Sequence, residues 1–565
     1  MITISGSQFS EQTLTASAPT STSTLPPMKI EARVRRDKPV FSRMKMRGIC
    51  ALFLFLLISI SIPAQIVTST DTAAPDKNTV NKQLKEIKKE KIQLHSDSTG
   101  GEPKKTTIDT TVNNKYDDLL NDDPIYNKKY PLWKPAVEVF GINATIFLLD
   151  RYVGKYDFST SVGFSSWKHN IKTGWVWDTD RFGINFIGHP YTGSLYFNAA
   201  RSSGYSFWQS FPYAVGGSVL WEYFGENTLP SYNDVINTPI NGAFLGEIFY
   251  RISSNILDDR SVGAQRFFRE LAAGIIDPAR GFNRLLQGKS FRRTNKEVYQ
   301  KEPLNITIFS GVQKLNKVPV NINKIGTGNE IFDLQLDYGN PFEDIKRKPY
   351  DLFRFRIDLS FGKGRKILDN VIGYGILTGK NFHSDSGDRA ILVGAYQYYD
   401  YWDNVTFELG AVGFGGGIIT KLPVHIGSKS NLYTSLHLAI VPFAGNSTRY
   451  GPDTASQFRD YNFGGGLEGK FESSLNFDKW VTATLAAYYY WTHSYIGLKE
   501  DNLLAIIKPR ITIRIIKNLS VGYEQAFYSN NIHSPDLPIL HINRTEQKIF
   551  LMLYLEDKQR RGHYN

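Results

Sequence analysis

The chain has 565 residues, with 66 Lys/Arg against 54 Asp/Glu, 31 tyrosines, 47 glycines and a single cysteine. A net charge of +12 is modest for this length, and no basic run interleaved with aromatics marks a nucleic-acid surface. One thiol excludes a disulfide scaffold and a cysteine-based metal site, while 13% aromatic residues point to a β-rich protein at a membrane interface, where amphipathic rings are favoured.

Near the N-terminus, Arg43, Lys45 and Arg47 precede an apolar run from Ile49 to Ile62, followed by Pro63-Ala64-Gln65. About 14 apolar residues are too few for a comfortable span but suit a signal-peptide core, with cleavage expected after Ala64. Removing residues 1–64 would take away Cys50, eight Lys/Arg and three Asp/Glu, leaving about +7. Residues 65–128, with "KQLKEIKKEKIQLHSDSTGGEPKKTT", hold too little apolar surface to offset the entropy of ordering, and are expected to form a tether.

From Tyr130 the pattern turns helical and aromatic, giving an expected helical domain over 129–290. In "SFWQSFPYAVGGSVLWEYFGE", Ser210 can cap a helix with Pro212 in its first turn and Gly225 as its stop. A second helix is expected to begin at Ser231, whose hydroxyl would accept from a free backbone N–H. Pro239 disfavours helix at Thr238, so a break is expected there, with a new helix from Ile240. Glycines 242 and 246 recur on one small, polar face of "DVINTPINGAFLGE" and read as packing devices. The Gly216-Gly217 pair reads the same way.

The segment "HPYTGSLYFNAARSSGYSFWQSFPYAVGGSVLWEYFGENTLPSYNDVINTPINGAFLGEIFYRISSNILDD", continued by "RFFRELAAGIIDPARGFNRLLQG", strongly resembles domain of unknown function 3943, found in Gram-negative envelope proteins. The resemblance covers about Trp175 to Gly288. It implies an envelope protein but carries over no catalytic residue, because the activity of that family is uncharacterised.

Within this block His189, Glu222, Glu226, Asp234 and Glu247 are the candidate site residues. Glu222 lies near the C-terminal end of its expected helix, where the macrodipole disfavours negative charge. Three readings stand open. The acids form a structural network, with Glu222 and Glu226 bridging arginines, Asp234 capping a backbone and Glu247 pairing with Arg251 four residues on. Alternatively, His189 and two or more carboxylates converge as a general acid/base set. Thirdly, His189 joins an oxygen-rich metal site, although familiar spacings such as His-Glu-x-x-His are absent and no metal or other cofactor is expected.

After Pro303 the period changes to two. "DLFRFRIDLSF" alternates Phe353, Phe355, Ile357 and Leu359 with Arg354, Arg356, Asp358 and Ser360, and "PRITIRI" sets Ile511, Ile513 and Ile515 opposite Arg510, Thr512 and Arg514. About twelve such segments lie between Leu304 and Glu556, split by Gly/Asn/Asp turn signals. A soluble sandwich would turn its apolar face to a shared core; a membrane barrel turns it to lipid and keeps polar groups in the lumen. Segment length, aromatics near segment ends and paired charges favour a transmembrane antiparallel β-barrel over 303–556, in the outer membrane.

The expected fold class is therefore mainly β, with a helical N-terminal domain on the periplasmic side that packs against the barrel or enters its lumen. Arg354, Arg356, Asp358, Glu468, Lys470, Arg510 and Arg514 are expected to face the lumen, either neutralising one another as a plug or tuning a conduit. The expected partners are outer-membrane lipid and a lipid or small-solute ligand. The expected function is a non-enzymatic envelope component, with a lipid- or cell-wall-modifying enzyme as the alternative.

Overall fold

The computed structural model describes residues 128–317, 328–362, 366–383, 389–404, 406–424, 430–447, 460–477 and 480–557. The expected signal peptide and nearly all of the tether lie outside these. Twelve strands close into one antiparallel barrel: β1 (Leu304–Lys317), β2 (Asn329–Tyr338), β3 (Phe353–Phe361), β4 (Leu368–His383), β5 (Ala390–Asp403) and β6 (Glu408–Val424), then β7 (Ser430–Ser447), β8 (Tyr461–Phe477), β9 (Val481–Ile496), β10 (Asp501–Ile516), β11 (Leu519–Ser534) and β12 (Leu537–Leu555). Each strand pairs with its sequence neighbours, and β12 returns to β1 with Ile306 opposite Leu555 and Lys317 opposite Arg544. Closure leaves no unpaired sheet edge.

Two-residue periodicity decides which side chains line the lumen. Arg354 on β3 reaches Glu472 on β8, and Lys470 on β8 reaches Asp400 on β5. Contacts between strands this far apart can only cross the interior. The same alternation points Leu436, Leu438 and Ile440 on β7, and Ile511, Ile513 and Ile515 on β10, outward, where all six are exposed. This greasy outside and charged inside is the inverse of a soluble sandwich.

The helical segment precedes β1. It contains α1 (Trp133–Leu148), α2 (Asp157–Thr160), α3 (Phe164–Thr173), α4 (His189–Arg201), α5 (Phe207–Phe224), α6 (Tyr232–Ile256), α7 (Gly263–Ile276) and α8 (Pro278–Leu286). Two local expectations are corrected. α5 begins at Ser206, whose hydroxyl accepts from the Gln209 N–H while the Gln209 side chain returns to the Ser206 N–H, so Pro212 lies inside the helix. This reciprocal cap satisfies two free donors where Ser210 would satisfy one. α6 runs unbroken for 25 residues through Pro239. Close packing on all sides outweighs the hydrogen bond lost at the proline.

That packing rests on small residues. A Cβ on Gly193 of α4 would fall on the Thr238 carbonyl of α6, and one on Gly242 would fall on the Gly193 backbone. Gly246 faces Phe197 and Gly217 faces the Tyr196 ring, as expected of packing devices, whereas Gly216 has open space.

The helices lie on the outer wall of the barrel. Phe244 of α6 packs on Phe355 and Tyr399, with ring centroids 6.5 and 5.5 Å away; both alternate with lumen residues. Phe186 packs on Phe443 at 5.7 Å and sits where Gly410 and Gly445 lack side chains. Gln397 donates to the Ile240 carbonyl at 3.0 Å, and Arg251 to the Pro349 carbonyl at 2.8 Å. Of the two placements expected, against the barrel or within its lumen, the contacts describe the first.

Candidate functional site

The N-terminus of α4 presents His189 to the first turn of α6. Its Nε2 lies 3.5 Å from Asp234 and 3.7 Å from Asp180. Asp178 joins them: one donor atom each from Asp178, His189 and Asp234 lie within 4.8 Å of one another. Asn185 donates to Asp178 at 2.9 Å, and Asn233 donates to Asp234 at 3.1 Å while accepting from the Asp178 N–H at 3.1 Å. Asn241 continues this ladder by donating to Asn237 at 2.6 Å.

Glu222 is buried and accepts from the Ser231 N–H at 2.7 Å. The Ser231 hydroxyl donates to Asp234, so Ser231 starts α6 without the side-chain cap expected of it. Glu226 accepts from Trp221 Nε1 at 2.6 Å and from Thr228 at 2.7 Å. Among the described residues neither Glu222 nor Glu226 bridges an arginine, which corrects that part of the structural reading.

Burial, reinforced by the neighbouring Glu226, pushes Glu222 up to about 8. Burial likewise raises Glu226 and Asp234. For His189 burial acts downward, but Asp234, Asp180 and Glu222 outweigh it and hold the imidazole well above its ordinary value. The physical cause is an excess of carboxylates around one imidazole, which favours its charged form. An imidazole nitrogen with carboxylate oxygens also suits a divalent cation of borderline softness.

Glu247 belongs elsewhere. It lies thirteen residues beyond Asp234 on α6, about 20 Å at the helical rise. Fully buried, it accepts from Arg201 Nε at 2.7 Å and Nη2 at 2.8 Å, and from Arg251 Nε at 2.8 Å. These bonds hold its carboxyl below the usual range despite burial. Glu247 is a structural pin that joins α4 to α6.

Asp178 and Asp180 were missing from the sequence candidates. They precede α4 in "WVWDTDRF", an irregular segment with no period to flag them. The Val176 backbone, paired with Pro230 and Tyr232 at 2.9 Å each, fixes their position beside α6.

The lumen charges meet as pairs. Arg354 joins Asp337 at 2.5 Å and Glu472 at 2.8 Å, and Arg356 joins Asp358 at 2.6 Å and Asp333 at 3.1 Å. Lys470 joins Asp400 at 2.6 Å and Glu468 at 3.5 Å, and Arg510 lies 3.6 Å from Glu524. Arg514 is exposed near the end of β10. Aromatic rings fill the space between: Phe309 lies 5.3 Å from both Arg356 and Arg510, and Trp402 lies 5.1 Å from Lys508. One cavity bounded by Phe407, Tyr490 and Asn530 measures about 10 Å³, at most a single water.

Residues 174–279 match the profile of a domain of unknown function (DUF3943). Among solved structures, the NanC porin aligns at 7% identity and a TM-score of 0.25, over 44% of this chain and 98% of that one. The outer membrane channel DcaP of Acinetobacter baumannii aligns at 7% identity and 0.20, over 45% and 96%. The transport unit of the autotransporter AIDA-I from Escherichia coli aligns at 14% identity and 0.20, over 48% and 96%. No curated protein matches the chain.

Proposed function

We propose that this protein is a non-enzymatic outer-membrane component that binds lipid at its surface and does not pass solute through its barrel. The carrying observation is the set of ion pairs across the lumen, from β3 to β8 and from β8 to β5. A conduit needs charged walls separated by water; here opposite charges touch and aromatic rings occupy the intervals. The test is single-channel recording of the purified protein in a planar bilayer. The wild type gives no conductance steps. Steps whose ion selectivity changes in Arg354→Glu would overturn this reading in favour of a conduit.

A second reading, an envelope lipid- or cell-wall-modifying enzyme, is favoured by one observation: His189, Asp178, Asp180 and Asp234 converge. There His189 or one of the raised carboxyls would serve as general acid or base. His189→Ala and Asp234→Asn discriminate the two. If both keep heat-modifiable migration yet abolish a change in envelope lipids seen by mass spectrometry, the protein is an enzyme. An unchanged lipid profile in both supports the binding reading.

A further inference from the structure

A water-soluble helix turns its apolar stripe inward. Three helices here turn large apolar side chains outward. On α7, Phe267 and Phe268 are 62% and 56% exposed, and Leu271 is exposed beside them. The polar side of α7 faces the protein: Arg266 pairs with Asp259 at 2.9 Å and with Glu270 at 2.7 Å. On α8, Leu285 and Leu286 are 59% and 65% exposed, while Arg280, Asn283 and Arg284 are buried. Arg284 reaches Glu270 at 2.7 Å and Asp259 at 3.1 Å.

α1, at the other end of the domain's sequence, buries Pro135 and Val139 but also leaves large apolar side chains outside. Trp133, Val137 and Phe140 are exposed, whereas Asn143 is buried and donates to the Gly217 carbonyl at 3.2 Å. Glu138, on the same inward side, accepts from buried Asn283 at 2.8 Å. Around the apolar core at Phe197, Phe244 and Ile248, these three helices thus leave large apolar side chains on the outside of the domain.

From these outward faces we infer that the helical domain is seated in the bilayer beside the barrel, with α1, α7 and α8 presenting their apolar faces to lipid acyl chains. This inference rests on the outer-membrane reading. The occupant is lipid because the domain that carries these faces is itself seated on the outer wall, through Phe244 against Phe355 and Tyr399 and Phe186 against Phe443, and on β7 that wall continues into exposed Leu436, Leu438 and Ile440. No described helix is long and apolar enough to cross a membrane. α7, at 14 residues, extends about 21 Å against a hydrocarbon core of about 30 Å. The helices therefore lie within one side of the apolar layer and the strands do the crossing.

Spin labels at single cysteines test this in the full chain carrying Cys50→Ser, reconstituted in phosphatidylethanolamine/phosphatidylglycerol vesicles. Labels at Val137→Cys, Phe268→Cys and Leu285→Cys are compared with Ile513→Cys on the barrel wall, each variant first checked for heat-modifiable migration. The expected result is that all four collide more with oxygen, which partitions into lipid, than with a water-soluble nickel chelate. If Ile513→Cys favours oxygen while the three helical sites favour nickel, the helical domain stands in water and the inference fails. If the helical labels are shielded from both reagents, a second protein copy covers them and the inference also fails. Nickel-favouring collisions at Ile513→Cys would remove the outer-membrane reading itself.

Discussion

Replacing Glu247 by alanine isolates the pin between α4 and α6. The carboxylate is fully buried and accepts three charge-assisted hydrogen bonds from two guanidinium groups. Removing one partner of a buried ion pair costs about 3–5 kcal/mol, because the remaining charge loses its compensation. Here two arginines are stranded at once, so the upper half of that range applies. Each 1.4 kcal/mol is a factor of about ten, so the opening equilibrium of α4 and α6 rises by about three orders of magnitude. Native-state hydrogen exchange in lipid nanodiscs reads this directly as faster exchange in both helices. Arg251 also holds the Pro349 carbonyl, so exchange rises in the loop between β2 and β3 as well. Glu247→Gln, which keeps one acceptor oxygen, falls between wild type and alanine. Protection in Glu247→Ala within fivefold of wild type would refute the assignment of Glu247 as a pin.

Gly193→Val drives a side chain into the Thr238 carbonyl and costs at least about 1–3 kcal/mol as overpacking, whereas Gly216→Ala, facing open space, is neutral or stabilises by about 0.5–1 kcal/mol; thermal unfolding of the helical signal separates them. Ile513→Lys places a charge on the outward face of β10 and costs up to about 2–4 kcal/mol, read as loss of heat-modifiable migration; an unaltered barrel would place Ile513 outside the hydrocarbon core. Raising the pH from 6 to 9 loosens the first turns of α4 and α6. His189, raised in the folded state, contributes stability that is complete below about 6.5 and lost as pH climbs through its folded value. Glu222, raised to about 8, adds a loss between 4.5 and 8, so both act in one direction. Protection corrected for intrinsic rate that holds steady or rises would contradict this.

The strands were legible because one side of each faces lipid and the other a polar lumen, which writes a clean alternation into "DLFRFRIDLSF" and "PRITIRI". The helices were legible as helices but not in their boundaries. Ser206 and Ser210 are equally good caps until Gln209 closes the box, and Pro239 breaks a helix only where packing leaves it free to break. His189, Glu222 and Asp234 stood out through their chemistry, and Glu247 looked the same although it belongs to a different cluster. Asp178 and Asp180 carry no local signal, because the Val176 backbone pairing that brings them to His189 spans more than fifty residues of chain.

Lys548 on β12 lies 3.3 Å from Asp333 on β2 and 4.0 Å from Asp358 on β3, with β1 between them. Those acids stand on strands that emerge early from the ribosome, yet one of their counter-ions arrives only with the last strand. A sheet still open at its seam leaves two carboxylates short of positive charge in a forming interior, an electrostatic fault that stitching the ends repairs. Completion is thereby made favourable at the one joint that sequence neighbours cannot template, and a chain cut short before residue 548 is left without the means to zip shut.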